Sequence, residues 1–244
     1  MIARIHKSTL TQQVAEMLKE QILEGQLASG DRLWAQDLAE DLGVSVVPVK
    51  EALLILQGEG LITNIPRRGS VVKRFTVTEL KELYDLRRMV EIEALRQLVA
   101  SGGLTDAFID ELERCNLEIE RNRDNGAVAL AHDRRFHETL VDACGHKMLI
   151  ELYGRLNTQA HIIRYATWKF GPRAEINFRE HVAIVDALKA RDIDAAERAI
   201  AAHLTSILRD PDFVRSVETA DNQTGPSETR PSGRRRPSRA GAAG

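Results

Sequence analysis

Between Trp34 and Ile62 the chain reads WAQDLAEDLGVSVVPVKEALLILQGEGLI. Apolar residues recur at helical spacing on both sides of Gly43-Val44-Ser45, which predicts two helices joined by a very short turn. Gly43 is free to take a positive φ there, and Ser45 is placed to cap the second helix. Pro48 then falls in the first turn of that helix, where its missing N–H costs nothing. So short a turn leaves the pair little freedom. The helices must pack at a steep angle, and other elements must cover the apolar face they share.

The flanking sequence supplies those elements. Upstream, STLTQQVAEMLKEQILEGQL repeats apolar residues at Leu10, Val14, Met17, Leu18, Ile22 and Leu23, with Ser8 or Thr9 as the cap. Downstream, LITNI and SVVKRF read as two strands joined by the hairpin connection PRRG. Three helices and a hairpin predict a winged helix-turn-helix over residues 1–75. From Thr78 the period stays helical, with helices expected near 78–100, 105–122, 126–143, 146–169, 174–190 and 192–209. SGG, DNG, CG and FGP break them, so residues 76–214 predict an antiparallel all-α six-helix bundle. Residues 215–244 are rich in Pro, Gly, Ser and Arg and are expected to be a disordered basic tail. It either touches nucleic acid non-specifically or acts as a solubilising segment. The fold class is therefore mostly α.

Hydrophobic residues make up 43% of the chain and charged residues 29%, enough to bury a sizeable core. The longest uncharged apolar run falls well short of the roughly 20 residues that span a bilayer. The chain does not open with a signal pattern, and its two cysteines, Cys115 and Cys144, cannot form a disulfide framework. A cytoplasmic, nucleoid-associated protein is the expectation. Residues 1–75 hold 9 basic and 9 acidic side chains, residues 76–214 hold 19 and 24, and residues 215–244 hold 6 and 3. The first segment has no basic excess, so any affinity for DNA must come from placement. Lys50, Arg67, Arg68, Lys73 and Arg74 fall within a short stretch and could supply it.

The second segment carries a different chemistry. HDRRFHETL puts Asp133 and His137 four residues apart, on a helical face shared with Leu130, Leu140 and Cys144. His181 shares its face with Phe178, Val185 and Leu188, and His203 shares one with Ile200 and Ile207. A carboxylate and three imidazoles thus lie on inward stripes. An unpaired buried carboxylate is costly, and three histidines beside it can share a divalent cation. The pattern alone leaves ordinary core histidines equally open. His6, His132, His146 and His161 fit no such arrangement and are expected at the surface or in hydrogen bonds. Arg87 lies on the Leu83, Val90, Ala94 stripe, either as a buried cation for an anionic ligand or as the partner of an internal glutamate. Asn157, His161 and Arg164 form a polar stripe. Asn157 and Arg164 are further pocket candidates, with an exposed polar face as the alternative.

GDRL, DLAEDLGVSVVPVKEALLILQGEGLI and PRRGSVV together resemble the DNA-binding domain of the GntR family of bacterial transcription regulators, over about residues 8–75. YDLRRMVE, HDRRFHETL and EHVAIVDALKARDIDAAERAIAAHL resemble the FCD effector domain of its FadR-type branch. The resemblance implies a homodimer that binds a short pseudo-palindromic operator in double-stranded DNA and answers to a small organic acid, usually as a repressor. It implies that Asp133, His137, His181 and His203 hold a divalent metal. Three nitrogens and one oxygen suit Zn, Ni, Mn, Co or Fe alike. Gln36, Ser45, Lys50, Arg67 and Arg68 are the expected DNA contacts. The family's recognition helix usually begins Ser-Arg-Thr-Pro-Val-Arg, and here it reads Ser45-Val46-Val47-Pro48-Val49-Lys50. A valine offers only apolar contact, such as to a thymine methyl, so the operator should differ from the family's usual one.

Two other functions fit parts of this pattern. An Asp/His3 metal with open positions also serves hydrolases and non-haem oxygenases. Against that, no general base or nucleophile lies beside the four residues, and a winged helix has no role in such an enzyme. A DNA-binding architectural protein with a purely structural metal is the third, which a saturable small-molecule response would exclude.

Overall fold

The computed structural model describes residues 9–65, 69–167 and 173–222. The N-terminal part contains α1 (Leu10–Leu23), β1 (Arg32–Leu33), α2 (Ala35–Leu42), α3 (Val46–Gly58), β2 (Ile62–Ile65) and β3 (Gly69–Val72). The strands form one antiparallel sheet in the order β1-β3-β2, with Ile62 opposite Val72 and Arg32 opposite Val71. This is the expected winged helix-turn-helix. The sheet edge β1 escaped the sequence reading because two residues show no period. Lys73, read as part of a basic cluster, lies past the strand and pairs with Glu79 at 3.2 Å.

Local chemistry explains the helix starts. Thr9 caps α1, its Oγ1 accepting from the Gln12 amide at 3.2 Å while the Gln12 side chain accepts from the Thr9 amide at 2.8 Å. Such caps contribute about 1 kcal/mol each. Gly43 ends α2 in the left-handed region at φ 65°. Ser45 occupies the N-cap position of α3, but its side chain makes no capping bond. That corrects its expected role and leaves the hydroxyl facing outward.

The bundle consists of α4 (Val77–Ala100), α5 (Asp106–Arg121), α6 (Gly126–Asp142), α7 (Lys147–Thr167), α8 (Arg173–Lys189), α9 (Ile193–Ser206) and α10 (Pro211–Asn222). The first six match the expected helices within a few residues. The last is a correction. Residues 215–222, assigned to the disordered tail, are helical, and Phe213 and Val217 pack into the bundle core. An apolar residue every fourth position was enough to bury one side of a short segment that is otherwise polar. The basic stretch from 223 on lies outside the described residues. Among the described residues no helix is long and apolar enough to cross a membrane.

The two parts share a seam along α7. Ile162 of α7 is buried within the winged-helix core beside Leu18, Ile22 and Leu56. The Gln159 amide donates to the Glu59 carbonyl at 3.0 Å, and the His161 Nε2 lies 3.1 Å from the Leu23 carbonyl. Two glycines permit this approach. Gly25 and Gly60 have φ of 67° and 74°, and a Cβ on them would lie 2.0 Å from the Tyr165 ring and 2.4 Å from the Gln159 amide. Only glycine meets both demands.

Burial at this seam, with Arg164 next in weight, pushes the His161 imidazole down to about 4. The unfolded chain therefore binds a proton between about pH 6.5 and 4 that the folded chain refuses. Stability is complete above that window and falls as pH drops through it, by about 2 kcal/mol at pH 5. His161→Gln should remove much of the difference between denaturation midpoints measured at pH 7.5 and 5.0; an unchanged difference would count against it.

Candidate functional site

α6 brings Asp133 and His137 to the bundle interior one turn apart, because Ala129, Leu130, Phe136 and Leu140 bury that side of the helix. α8 presents His181 from a face shared with Ile184, Val185 and Leu188, and α9 presents His203 beside Ile200 and Leu204. One ligand atom from each of the four lies within 4.8 Å of the others, and all four residues are buried. The His203 Nε2 is 3.0 Å from that of His137 and 3.2 Å from that of His181. The Asp133 Oδ1 is 3.7 Å from the His181 Nε2. The Phe136 ring stacks on His181 with centroids 3.9 Å apart, which fixes its plane.

Carboxylates behind the histidines set their tautomers. Glu91 on α4 lies 2.8 Å from the His137 Nδ1, and Glu180 on α8 lies 2.8 Å from the His203 Nδ1. A carboxylate accepts, so both Nδ1 atoms donate to it. The Nε2 atoms of His137 and His203 then face each other at 3.0 Å, on the side away from the carboxylates. Carboxylate-backed imidazoles that converge in this way are the usual surroundings of metal-bound histidine. The residues present fit a divalent cation.

Asp133 is held on its far side. Arg164 of α7 donates to its Oδ2, and the Asn177 amide donates to its Oδ1 at 2.7 Å. Burial raises the Asp133 carboxyl, but the Arg164 guanidinium opposes it, and the group is held well below the usual carboxylate range. Burial likewise raises Glu91, and His137 and Arg87 bring it down to about 2. Burial lowers His181 and His203, keeping them neutral. Neutral imidazoles and ionised carboxylates are the forms that bind metal.

Beside this cluster lies a cavity of about 20 Å³, lined among others by Tyr84, Arg87, Asp133, Arg164, Arg173 and His203. Three guanidiniums converge there. Arg87 is only 1% exposed. It lines the cavity and also pairs with Glu91, through Nε at 3.1 Å and Nη2 at 2.8 Å. Arg164 also lines the cavity. Asn157 does not line it: buried behind, it accepts from the Arg164 Nη2 at 3.0 Å and donates to Glu138 at 3.1 Å. Its stripe faces inward rather than solvent.

Sequence reasoning missed Glu91, Glu180, Asn177 and Arg173. Glu91 was legible as the glutamate four residues after Arg87 on one stripe, and Asn177 as the residue one turn before His181. Glu180 carried no such signal, because it neighbours one histidine in sequence and reaches another in space.

On the winged helix, Gln36 in the first turn of α2, Ser45 at the start of α3 and Lys50 on α3 are all exposed. Arg67 and Arg68 lie outside the described residues.

A winged helix-turn-helix joined to an all-α bundle is the architecture of a class of DNA-binding transcription regulators. Residues 10–72 match the family described as bacterial regulatory proteins, gntR family, and residues 82–206 match the FCD domain. The chain belongs to the GntR family, in its FCD-bearing FadR-type branch. It is 29% identical over 194 residues to the HTH-type transcriptional regulator YdhC of Bacillus subtilis, covering 78% of this chain and 86% of that one. It is 28% identical over 202 residues to the HTH-type transcriptional repressor RspR of Escherichia coli, covering 81% and 87%. The fold is also that of Escherichia coli McbR/YncC, with TM-score 0.68 and 23% identity over 92% of this chain and all of the other. A GntR regulator from Rhodococcus gives TM-score 0.70 and 23% identity over 84% of this chain and 98% of that one. The relatives are transcription regulators, and the chain is one too rather than an enzyme.

The Arg87–Glu91 pair is a stability determinant in its own right. Arg87→Ala strands a fully buried carboxylate and should cost about 3–5 kcal/mol in urea denaturation; a loss under about 1 kcal/mol would show the pair to be dispensable.

Proposed function

We propose that this regulator is a homodimeric repressor whose bundle holds a divalent cation and a small carboxylate that alters operator binding. One observation supports the metal above others: imidazoles backed by Glu91 and Glu180 converge through their Nε2 atoms beside Asp133, with all four ligand atoms within 4.8 Å of one another. His137, His181, His203 and Asp133 would hold the cation, which when bound supplies positive charge that a carboxylate can meet. Arg87, Arg164 and Arg173 face the same cavity and supply the remaining recognition. The cavity has room for about one water as it stands, so the effector must displace side chains to enter. The repressor reading draws on the named function of the Escherichia coli relative RspR. Gln36, Ser45, Lys50, Arg67 and Arg68 are the proposed contacts to DNA.

Control follows from linkage. An effector that binds one arrangement of the dimer better shifts the population toward it. Two recognition helices must be about 34 Å apart to enter successive major grooves, so a modest rigid-body change suffices to abolish binding. α7 is the element both sites bias. Its Arg164 holds Asp133, while its Gln159, His161 and Ile162 hold the winged helix. An effector carboxylate competing for Arg164 loosens one end of that connection.

Two experiments test this. His181→Ala, measured by elemental analysis of purified protein, should lose most of a stoichiometric metal while the winged helix stays folded by circular dichroism. Unchanged metal content would sink the site. A panel of small mono-, di- and hydroxycarboxylates, screened by operator affinity, should contain one that changes it by about 5–150-fold. Gln159→Ala should bind that acid as tightly yet shrink its effect on operator affinity several-fold. A panel in which no acid alters operator binding would overturn the carboxylate reading.

A further inference from the structure

The recognition helix α3 is apolar on both faces. Val49, Ala52, Leu53 and Leu56 bury its inner side. On the outer side Val47 is 63% exposed and Leu54 60%. At 100° per residue these two lie within about 20° of each other, at the centre of the face opposite the core. Val46, by contrast, packs against the winged-helix core and has turned away.

The polar residues on that outer face are mostly committed elsewhere. Glu51 accepts from the Thr11 hydroxyl at 2.7 Å, which ties it to α1. The Gln57 side chain accepts from the Asn64 amide at 3.0 Å, which ties it to β2. Lys50 is exposed and makes no hydrogen bond or ion pair among the described residues. What α3 offers outward is Val47 and Leu54 at the centre of that face, with the less exposed Ile55 on one side and Lys50 on the other.

In the major groove one group answers to that chemistry: the C5-methyl of thymine, which no other base carries. We propose that α3 reads its operator through thymine methyls, with Val47 and Leu54 as specificity-determining residues and Lys50 as an accessory contact to phosphate or guanine. This rests on the DNA-binding reading above and names the sequence class it selects. The two side chains are seven residues apart, about 10 Å along the helix, or about three base-pair steps if the helix follows the groove. Each half-site therefore contains two contacted thymines, on either strand, separated by about that distance.

The test begins with selection of duplexes from a random pool by the full chain at about 150 mM salt, a typical physiological ionic strength. The enriched duplex is then synthesised with deoxyuridine replacing each thymine in turn, which removes only the methyl. Binding should weaken about fourfold at each contacted thymine, the equivalent of about 0.8 kcal/mol per buried methyl. Val47→Ala should erase the penalty at one thymine and Leu54→Ala at the other, and both exposed positions should tolerate alanine without loss of fold. Equal affinity for thymine and deoxyuridine duplexes, or enriched half-sites without A·T pairs, overturns this inference and leaves the regulator intact. Binding without any enrichment overturns it equally. Failure to bind any duplex even at low salt overturns the DNA-binding reading itself. A change in oligomeric state of Leu54→Ala in the absence of DNA would assign the apolar face to contact between chains, and also ends the proposal.

Discussion

The contact between Arg164 and Asp133 holds the architecture together. Both residues are buried, so neither charge can be left alone without a penalty of several kcal/mol. Their pairing joins α7 to α6, and Asn157 accepts from Arg164 while Asn177 donates to Asp133 from either side. α7 then has no freedom to slide. The residues on its other flank meet the winged helix at a fixed height, where Gly25 and Gly60 leave just enough room for Tyr165 and Gln159. An interior ion pair and a surface seam are two ends of one rigid element. The same pair lines the cavity beside the histidines, so one ion pair belongs both to that cavity and to the helix that meets the winged helix.

Much of this was legible beforehand, and the reason lies in period. The helix-turn-helix declares itself through Gly43 and Pro48, whose backbone demands are local. The six bundle helices declare themselves through apolar stripes, and Asp133, His137, His181 and His203 could be found because a polar residue on such a stripe stands out. Features that depend on distance along the chain were hidden. β1 is two residues held by a partner some forty positions away. Glu180 reads as a neighbour of His181, yet bundle packing brings it to His203. Arg173 and Asn177 gain meaning only when α8 is laid beside α6. The segment 215–222 misled by composition, since two buried side chains, Phe213 and Val217, decide its fate against a polar background. Leu54 went unremarked for the opposite reason: a leucine in a helix reads as core until exposure is known.

Charge balance joins the metal to the effector. Around the cluster, Arg87 faces Glu91 and Arg164 faces Asp133, and at the rim Arg173 faces Glu180 at 3.5 Å. These pairs are neutral in sum, and burial keeps His181 and His203 uncharged. A divalent cation would therefore leave the site with about two positive charges in excess, in surroundings where an uncompensated charge is expensive. Water alone compensates this poorly in so small a cavity. A mono- or dicarboxylate would compensate it, and three guanidiniums line the same cavity. Cation and anion are then cooperative ligands of a single site, each raising the affinity of the other. Their joint arrival competes with Asp133 for Arg164, the one cavity residue that also lies on the helix gripping the winged helix. On the proposed reading, the charge that would make the site bind an acid is also the charge that would let the acid be felt at the DNA.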